Sequence, residues 1–293
     1  MLVSVGMKIL VMGSGAVGGY YGAVLQRVGH QVTFVARGEH LKAIQMAGLR
    51  VRSVTSGDFT IRPPVTDKPV GSLMPDLVLF CVKGYDNADA IELIRPAVGK
   101  GTSILILQNG LGGGDELASV FGQENVLLGV TYVDAMRDGP GSVIEEGGPC
   151  NIIFGQSDGA SSSRTESVYK VFKDAGVSIQ LSFDIHKDLW NKLIYICAWS
   201  GMICITRASF DDIMSIPQTE RLTRRVMLET ESVARACGVD LDRDIVERTM
   251  ERFKEVDGPS ISSMYEDLKR GGRLEIGVLN GAVTRIGNEC GLE

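Results

Sequence analysis

A chain of 293 residues has room for about two domains. Its 44% hydrophobic and 23% charged content excludes a disordered chain. The balance of 30 Lys+Arg against 36 Asp+Glu, a formal charge of −6, argues against nucleic acid or an anionic membrane as a main partner. Of the 36 glycines, 27 fall in residues 1–185, so the surplus belongs to the first part of the chain.

Met1–Met12 is apolar but has neither a basic start nor a small-residue cleavage site, and reads as a short leader running into a buried strand. The unbroken apolar run Lys8–Met12 predicts that strand, central and parallel. A helix is expected from the glycine loop that follows to about Val28, with Gly29 as its C-cap, then a second strand over Gln31–Ala36. Residues 50–65, around Gly57 and Asp58, suggest a small hairpin. Strands at Asp76–Val82 and Ser103–Leu107 flank a helix at Ala88–Val98, and Gln108–Gly114 is a loop. Val126–Phe154 carries short strands between Gly/Pro turns, followed by a helix at Ser161–Ala175 and a strand at Val177–Leu181. This alternation is the signature of an α/β doubly wound, Rossmann-type sheet with a mixed extension over 1–185.

From about Ile185 the pattern turns helical: Leu189–Met202, Thr219–Cys237, Arg243–Glu255, Ser260–Lys269 and Leu274–Cys290. A C-terminal all-helical domain over 186–293 is therefore expected. The apolar stretch Leu193–Ile205, 13 residues, is too short to span a bilayer and suits a core helix. The six cysteines form no C-x-x-C pair and mostly sit in apolar runs, which points to a reducing cytoplasm. The three histidines make no ligand pattern, so no metal site is expected, and no G-x-S-x-G elbow supports a hydrolase.

Gly13-Ser14-Gly15-Ala16-Val17-Gly18 is G-x-G-x-x-G, placed directly after a buried strand and opening a helix. That is the context a dinucleotide fingerprint requires. The first glycine permits the turn, the second lets backbone approach a pyrophosphate, and the third lets helix and strand pack closely. The helix N-terminus offers N–H groups to the phosphates. The second strand ends with Arg37, 19 residues after Gly18, and no acidic residue holds that slot; Glu39 comes two later. A guanidinium suits a 2′-phosphate, which favours NADP over NAD; the alternative is a solvated surface arginine. Lys83, at the carboxyl end of its strand, and Asn109, in Gln108-Asn109-Gly110-Leu111-Gly112, are placed to line the same crevice. The glycines beside Asn109 would let a ligand come close, and Asn109 could bond the nicotinamide side or the substrate; a structural loop remains the alternative for both.

Lys192, in Asp188-Leu189-Trp190-Asn191-Lys192-Leu193, opens an apolar run with no further charge before Arg207. Such a lysine either snorkels to the surface or meets an anion. The functional reading is a proton donor beside a reducible carbonyl, whose oxygen gains negative charge as hydride arrives. Glu275 is a candidate carboxylate to keep that ammonium charged and oriented. Ser263 and Asp267, four apart in a predicted helix, share a face. Asn280 lies five after Glu275, some 140° round a helix, and need not face the same pocket.

Together these motifs resemble the ketopantoate reductase (2-dehydropantoate 2-reductase) family. The resemblance rests on GSGAVG, Arg37, VKGYD with Lys83, LQNGLGG with Asn109, RDGPGSV, LWNKL with Lys192, ISSMYEDL with Ser263 and Asp267, and LEIGVLNG with Glu275 and Asn280, in the family's order over nearly the whole chain. It implies a Rossmann domain, a helical domain, a cleft between them, and NADPH-dependent reduction of a 2-oxo acid, ketopantoate to pantoate for pantothenate and coenzyme A synthesis. It also implies Lys192 as general acid, Glu275 as its support, Ser263 holding the substrate and Asn109 near nicotinamide and substrate.

The chain departs from the family where asparagines are expected four and eight residues after the catalytic lysine; here these are Ile196 and Ser200, which implies a less polar substrate. Gly277 replaces a frequent aspartate, and the chain stops at Glu293 where relatives usually continue, so a truncated or reduced helical domain is expected. The alternatives are a related dehydrogenase acting on another hydroxy or oxo acid, and a non-catalytic NADP-binding sensor. A cytoplasmic protein with a small-molecule substrate, no nucleic-acid or membrane partner and a homodimeric option completes the expectation.

Overall fold

The computed structural model describes residues 6–254 and 261–292. Residues 1–5 of the expected leader, the helix ends at Glu255 and Ser260 and the Gly258-Pro259 break lie outside the described residues. The chain forms two compact units: one is the chain up to Gln108 together with Gly113–Ile185, the other Asn109–Gly112 together with His186 onward.

The first unit opens with β1 (Lys8–Met12), α1 (Ala16–Arg27), β2 (Gln31–Val35) and α2 (Gly38–Ala47). There follow β3 (Leu49–Ser53), β4 (Phe59–Ile61), β5 (Val65–Thr66), β6 (Leu77–Phe80), α3 (Asn87–Ile94), β7 (Ser103–Ile106) and α4 (Gly113–Phe121). β8 (Val126–Tyr132), β9 (Ala135–Arg137), β10 (Ser142–Glu145), β11 (Asn151–Gly155), α5 (Ser163–Asp174) and β12 (Ser178–Leu181) complete it. Eight strands form one sheet in the order β12-β11-β8-β7-β6-β1-β2-β5, parallel throughout except for the β8–β11 pair. This is the doubly wound sheet with a mixed extension that the alternation implied. A second sheet, β4-β3-β10-β9, holds the expected hairpin at β3–β4.

β1 is apolar on both sides because both faces of the sheet are covered. Ile9 and Val11 join one core cluster, Leu10 and Met12 the other, as the period of two requires. Two helices of this unit, α2 and α4, were not anticipated. In α2 only His40 and Ile44 are buried, too few to mark an apolar stripe. α4 starts with two glycines that read as loop, while Asp115 and Glu116 in its first turn favour the helix.

The second unit contains α6 (Ile185–Thr206), α7 (Phe210–Ser215), α8 (Pro217–Ala236), α9 (Ile245–Lys254), α10 (Ser263–Lys269) and α11 (Asn280–Glu289). Its core joins Trp190, Leu193, Ile194, Cys197, Ala198 and Met202 of α6 to Phe210, Met227, Val246 and Phe253. The apolar stretch of α6 lies in a helix of 22 residues, longer than expected, and by length and composition this helix could cross a membrane. Its membership of the core cluster accounts for the same composition.

The single helix expected over Leu274–Cys290 is two elements. A 3₁₀ turn at Glu275–Gly277 precedes α11, and Leu279 between them has φ −104° and ψ −109°, outside the helical region. The chain turns back so tightly that a Cβ on Gly281 would stand 2.9 Å from the Ile276 carbonyl oxygen. Four of the six cysteines are buried or half-buried, whereas Cys237 and Cys290, at the C-caps of α8 and α11, are exposed thiols with their sulfurs 3.0 Å apart.

Candidate active site

The glycine loop joins the end of β1 to α1. Gly13 has φ +97°, and a Cβ there would approach Cys81 C and Val82 N at 2.8 Å. A Cβ on Gly18 would collide with the Gly13 carbonyl oxygen and stand 2.9 Å from Val11 Cγ1, so this glycine serves close helix–strand packing. Gly15 differs. Its φ of −74° is open to any residue, and a Cβ there would meet nothing within 4 Å. The protein itself therefore does not demand glycine at 15; what the glycine leaves is room beside the first turn of α1. Gly15 is the N-cap, no side chain caps the helix, and Ala16 and Val17 open its first turn. Room, together with the N–H groups and dipole of a helix N-terminus, fits a pyrophosphate.

Ser14 fastens this loop: its hydroxyl donates to the Val35 carbonyl at 3.0 Å. Sequence reasoning missed His40, whose Nδ1 accepts from the Gly141 N–H at 3.0 Å. Nε2 then carries the proton and donates to the Ser14 carbonyl at 2.7 Å. Burial lowers the His40 pKa below its ordinary value, partly offset by the Ser14 bond, so the neutral ring is the bracing form. A lone histidine in an unrecognised helix carried no signal of this.

Arg37 is the N-cap residue of α2, and its Nη2 lies 2.7 Å from Asp86 Oδ2. Asp86 was also missed, although it closes the VKGYD loop already singled out. Lys83 is half-buried and precedes the 3₁₀ turn Gly84–Asp86. Gln108 Nε2 ties the end of β7 to this loop by donating to Val82 O at 2.6 Å and Asn87 Oδ1 at 2.7 Å.

In the second unit three predicted residues come together. Lys192 Nζ donates to Asn109 Oδ1 at 2.6 Å. Burial lowers the Lys192 pKa to about 8, and the nearby Glu275 carboxylate opposes that shift. Glu275 is itself buried, in the 3₁₀ turn before α11. Asn109 reaches the lysine because its loop is seated on that same segment: Leu111 N donates to Val278 O at 3.0 Å. Gly110, with φ +90°, would drive a Cβ into the Val278 carbonyl. The glycine expected to admit a ligand thus admits the protein's own backbone. Sequence spacing could not reveal this, because 83 residues separate Asn109 from Lys192.

The remaining candidates sit on α10, at the start of α11 and further along α6. Ser263 is exposed at the first residue of α10, whose cap is Ser262, and Asp267 is half-buried one turn on. Asn280 is a clamp between helices: its Nδ2 donates to Cys197 O at 3.2 Å, and Gly201 leaves it space. One turn after Lys192, Ile196 is half-buried; two turns after, Ser200 is buried.

Residues 9–159 match the family model described as ketopantoate reductase PanE/ApbA, and residues 184–293 match the one described as ketopantoate reductase PanE/ApbA C terminal. A curated 2-dehydropantoate 2-reductase of Halobacterium salinarum is 32% identical over 281 residues, covering 94% of this chain and 91% of its own. The crystal structure of a PanE/ApbA family ketopantoate reductase from Ralstonia eutropha JMP134 is similar with a TM-score of 0.89 at 36% identity, covering 98% of this chain and 93% of its own. A 2-dehydropantoate 2-reductase from Geobacter metallireducens GS-15 gives 0.91 at 33% identity, covering 97% and 95%.

Proposed function

The chain belongs to the ketopantoate reductase family, and on that premise we propose that it reduces 2-dehydropantoate to pantoate with NADPH. Residues 1–185 form the cofactor part and 186–293 the part for substrate and dimer contacts in this reading. Gly13, Ser14, Gly15, Ala16, Val17 and Gly18, with Arg37 and Lys83, hold the dinucleotide. Bound there, NADPH supplies the hydride that reaches the keto carbon. Lys192 supplies the proton: as the oxygen gains charge, an N–H of its ammonium passes to it, and the resulting amine is reprotonated by solvent. Asn109 Oδ1 accepts one ammonium hydrogen and so holds Nζ in place. The Glu275 carboxylate favours the charged ammonium against its burial. Ser263 contributes to holding the substrate. The observation that carries the reading is a half-buried lysine whose pKa is lowered to about 8, oriented by an amide and backed by a carboxylate.

The test is loss of NADPH absorbance with 2-dehydropantoate and a panel of other 2-oxo acids. Turnover of 2-dehydropantoate supports the proposal; a folded, NADPH-binding sample that turns over no 2-oxo acid contradicts it. Half-buried Ile196, one turn from Lys192, favours a second reading in which a 2-oxo acid with an apolar side chain is preferred; the same panel decides between them. The protein acts on a free small molecule in the cytoplasm in either reading, with a homodimer as one option for its assembly.

A further inference from the structure

β6 and β2 are the two neighbours of β1 in the sheet. Asp86 follows β6 and Arg37 follows β2, so the glycine loop at the end of β1 emerges between the two segments. Their side chains nonetheless meet, Nη2 to Oδ2, at 2.7 Å. Neighbouring strands are about 4.8 Å apart, so this ion pair bridges roughly 10 Å across the carboxyl end of β1.

Asp86 is also the N-cap residue of α3, yet its side chain makes no capping hydrogen bond. An N-cap aspartate ordinarily accepts from the N–H two or three residues on, and that bond is favourable. Here the carboxylate is turned instead to a guanidinium on the far side of β1. Its backbone is held by Asp86 N donating to Lys83 O at 2.8 Å. The Asp86 side chain is 20% exposed against 83% for Arg37, so the anion is the less screened partner and the guanidinium the more solvated one.

We propose that Asp86 is a specificity-determining residue for the cofactor, the anion that a 2′-phosphate must replace at Arg37. The inference rests on the proposed nicotinamide-dependent function. A 2′-phosphate carries roughly −1.5 to −2 charges and meets the repulsion of Asp86 while it recruits Arg37. A bare ribose 2′-hydroxyl meets the opposite situation: the carboxylate is an acceptor for its hydrogen, the role an acidic residue plays in NAD-binding sites. The pair thus narrows the preference for NADPH over NADH, and the chain binds both.

The experiment is titration of NADP⁺ and NAD⁺ into the full chain, followed by calorimetry, for the wild type, Asp86→Asn and Asp86→Ser. A partly exposed ion pair is a weak competitor, so NADP⁺ is expected to bind about two- to fivefold more tightly to both variants, with NAD⁺ bound more weakly by a few fold. Because the Asp86 side chain makes no capping bond, neither variant removes one from α3, and agreement between Asn and Ser ties the change in cofactor choice to loss of the carboxylate. An unchanged NADP⁺/NAD⁺ ratio overturns the proposal, and so does a fall in NADP⁺ affinity, which would make Asp86 only a support for Arg37. Failure of the wild type to bind either nucleotide would overturn the proposed function itself, a result distinct from both.

Discussion

Lys192 and Asn109 meet at 2.6 Å although they are 83 residues apart, and the contact exists because Gly110 lets the Asn109 loop lie against the Val278 carbonyl. Lysine, amide and the segment carrying Glu275 are therefore one assembly, and perturbing any of them should be read at the Lys192 ammonium.

The pH dependence of reduction is the first consequence. Lys192 donates a proton only when charged, and burial lowers its pKa from 10.5 to about 8. Below that value the acid is present; above it the amine accumulates. In the free enzyme kcat/KM for reduction should be flat on the acidic side of about 8 and fall tenfold per pH unit above it. A profile level to pH 10 would show that Lys192 is not the titrating acid.

Glu275→Gln should move that basic limb to lower pH. The carboxylate is the one influence identified as raising the Lys192 pKa against burial, and the amide keeps its size without its charge. The informative comparison is the position of the limb and not the rate alone, since a purely structural Glu275 would lower activity and leave the limb in place.

Two glycines of the loop should separate. Gly18→Ala drives a Cβ into the Gly13 carbonyl, so its melting temperature should fall, with a cost on the order of 1–3 kcal/mol. Gly15→Ala meets no protein atom within 4 Å, so its melting temperature should hold while NADPH binding weakens at least tenfold. Thermal melts with and without NADPH check both; an unweakened Gly15→Ala protein would remove the pyrophosphate from this loop.

Much of this was legible because local chemistry demanded it. Lys8–Met12 had to be a strand covered on both faces, and the glycine spacing after it had to be a strand-to-helix turn. Lys192 stood out as the last charge before an apolar run that reaches to Arg207. What stayed hidden depended on contacts distant in sequence. Gly110 looked like room for a ligand until Val278 occupied that room. Asp86 looked like a loop residue until β2 brought Arg37 to it. His40 carried no periodic signal, and the break at Gly277 and Leu279 left no mark beyond scattered glycines in an otherwise helical pattern.

The most direct test of the account is the rate of NADPH oxidation with 2-dehydropantoate by the wild type and by Lys192→Ala, with NADPH affinity measured on both. General-acid roles contribute roughly 10²–10⁴-fold, so turnover should fall by about that factor while the dissociation constant for NADPH stays within a few fold. A Lys192→Ala protein that keeps wild-type turnover would contradict the account.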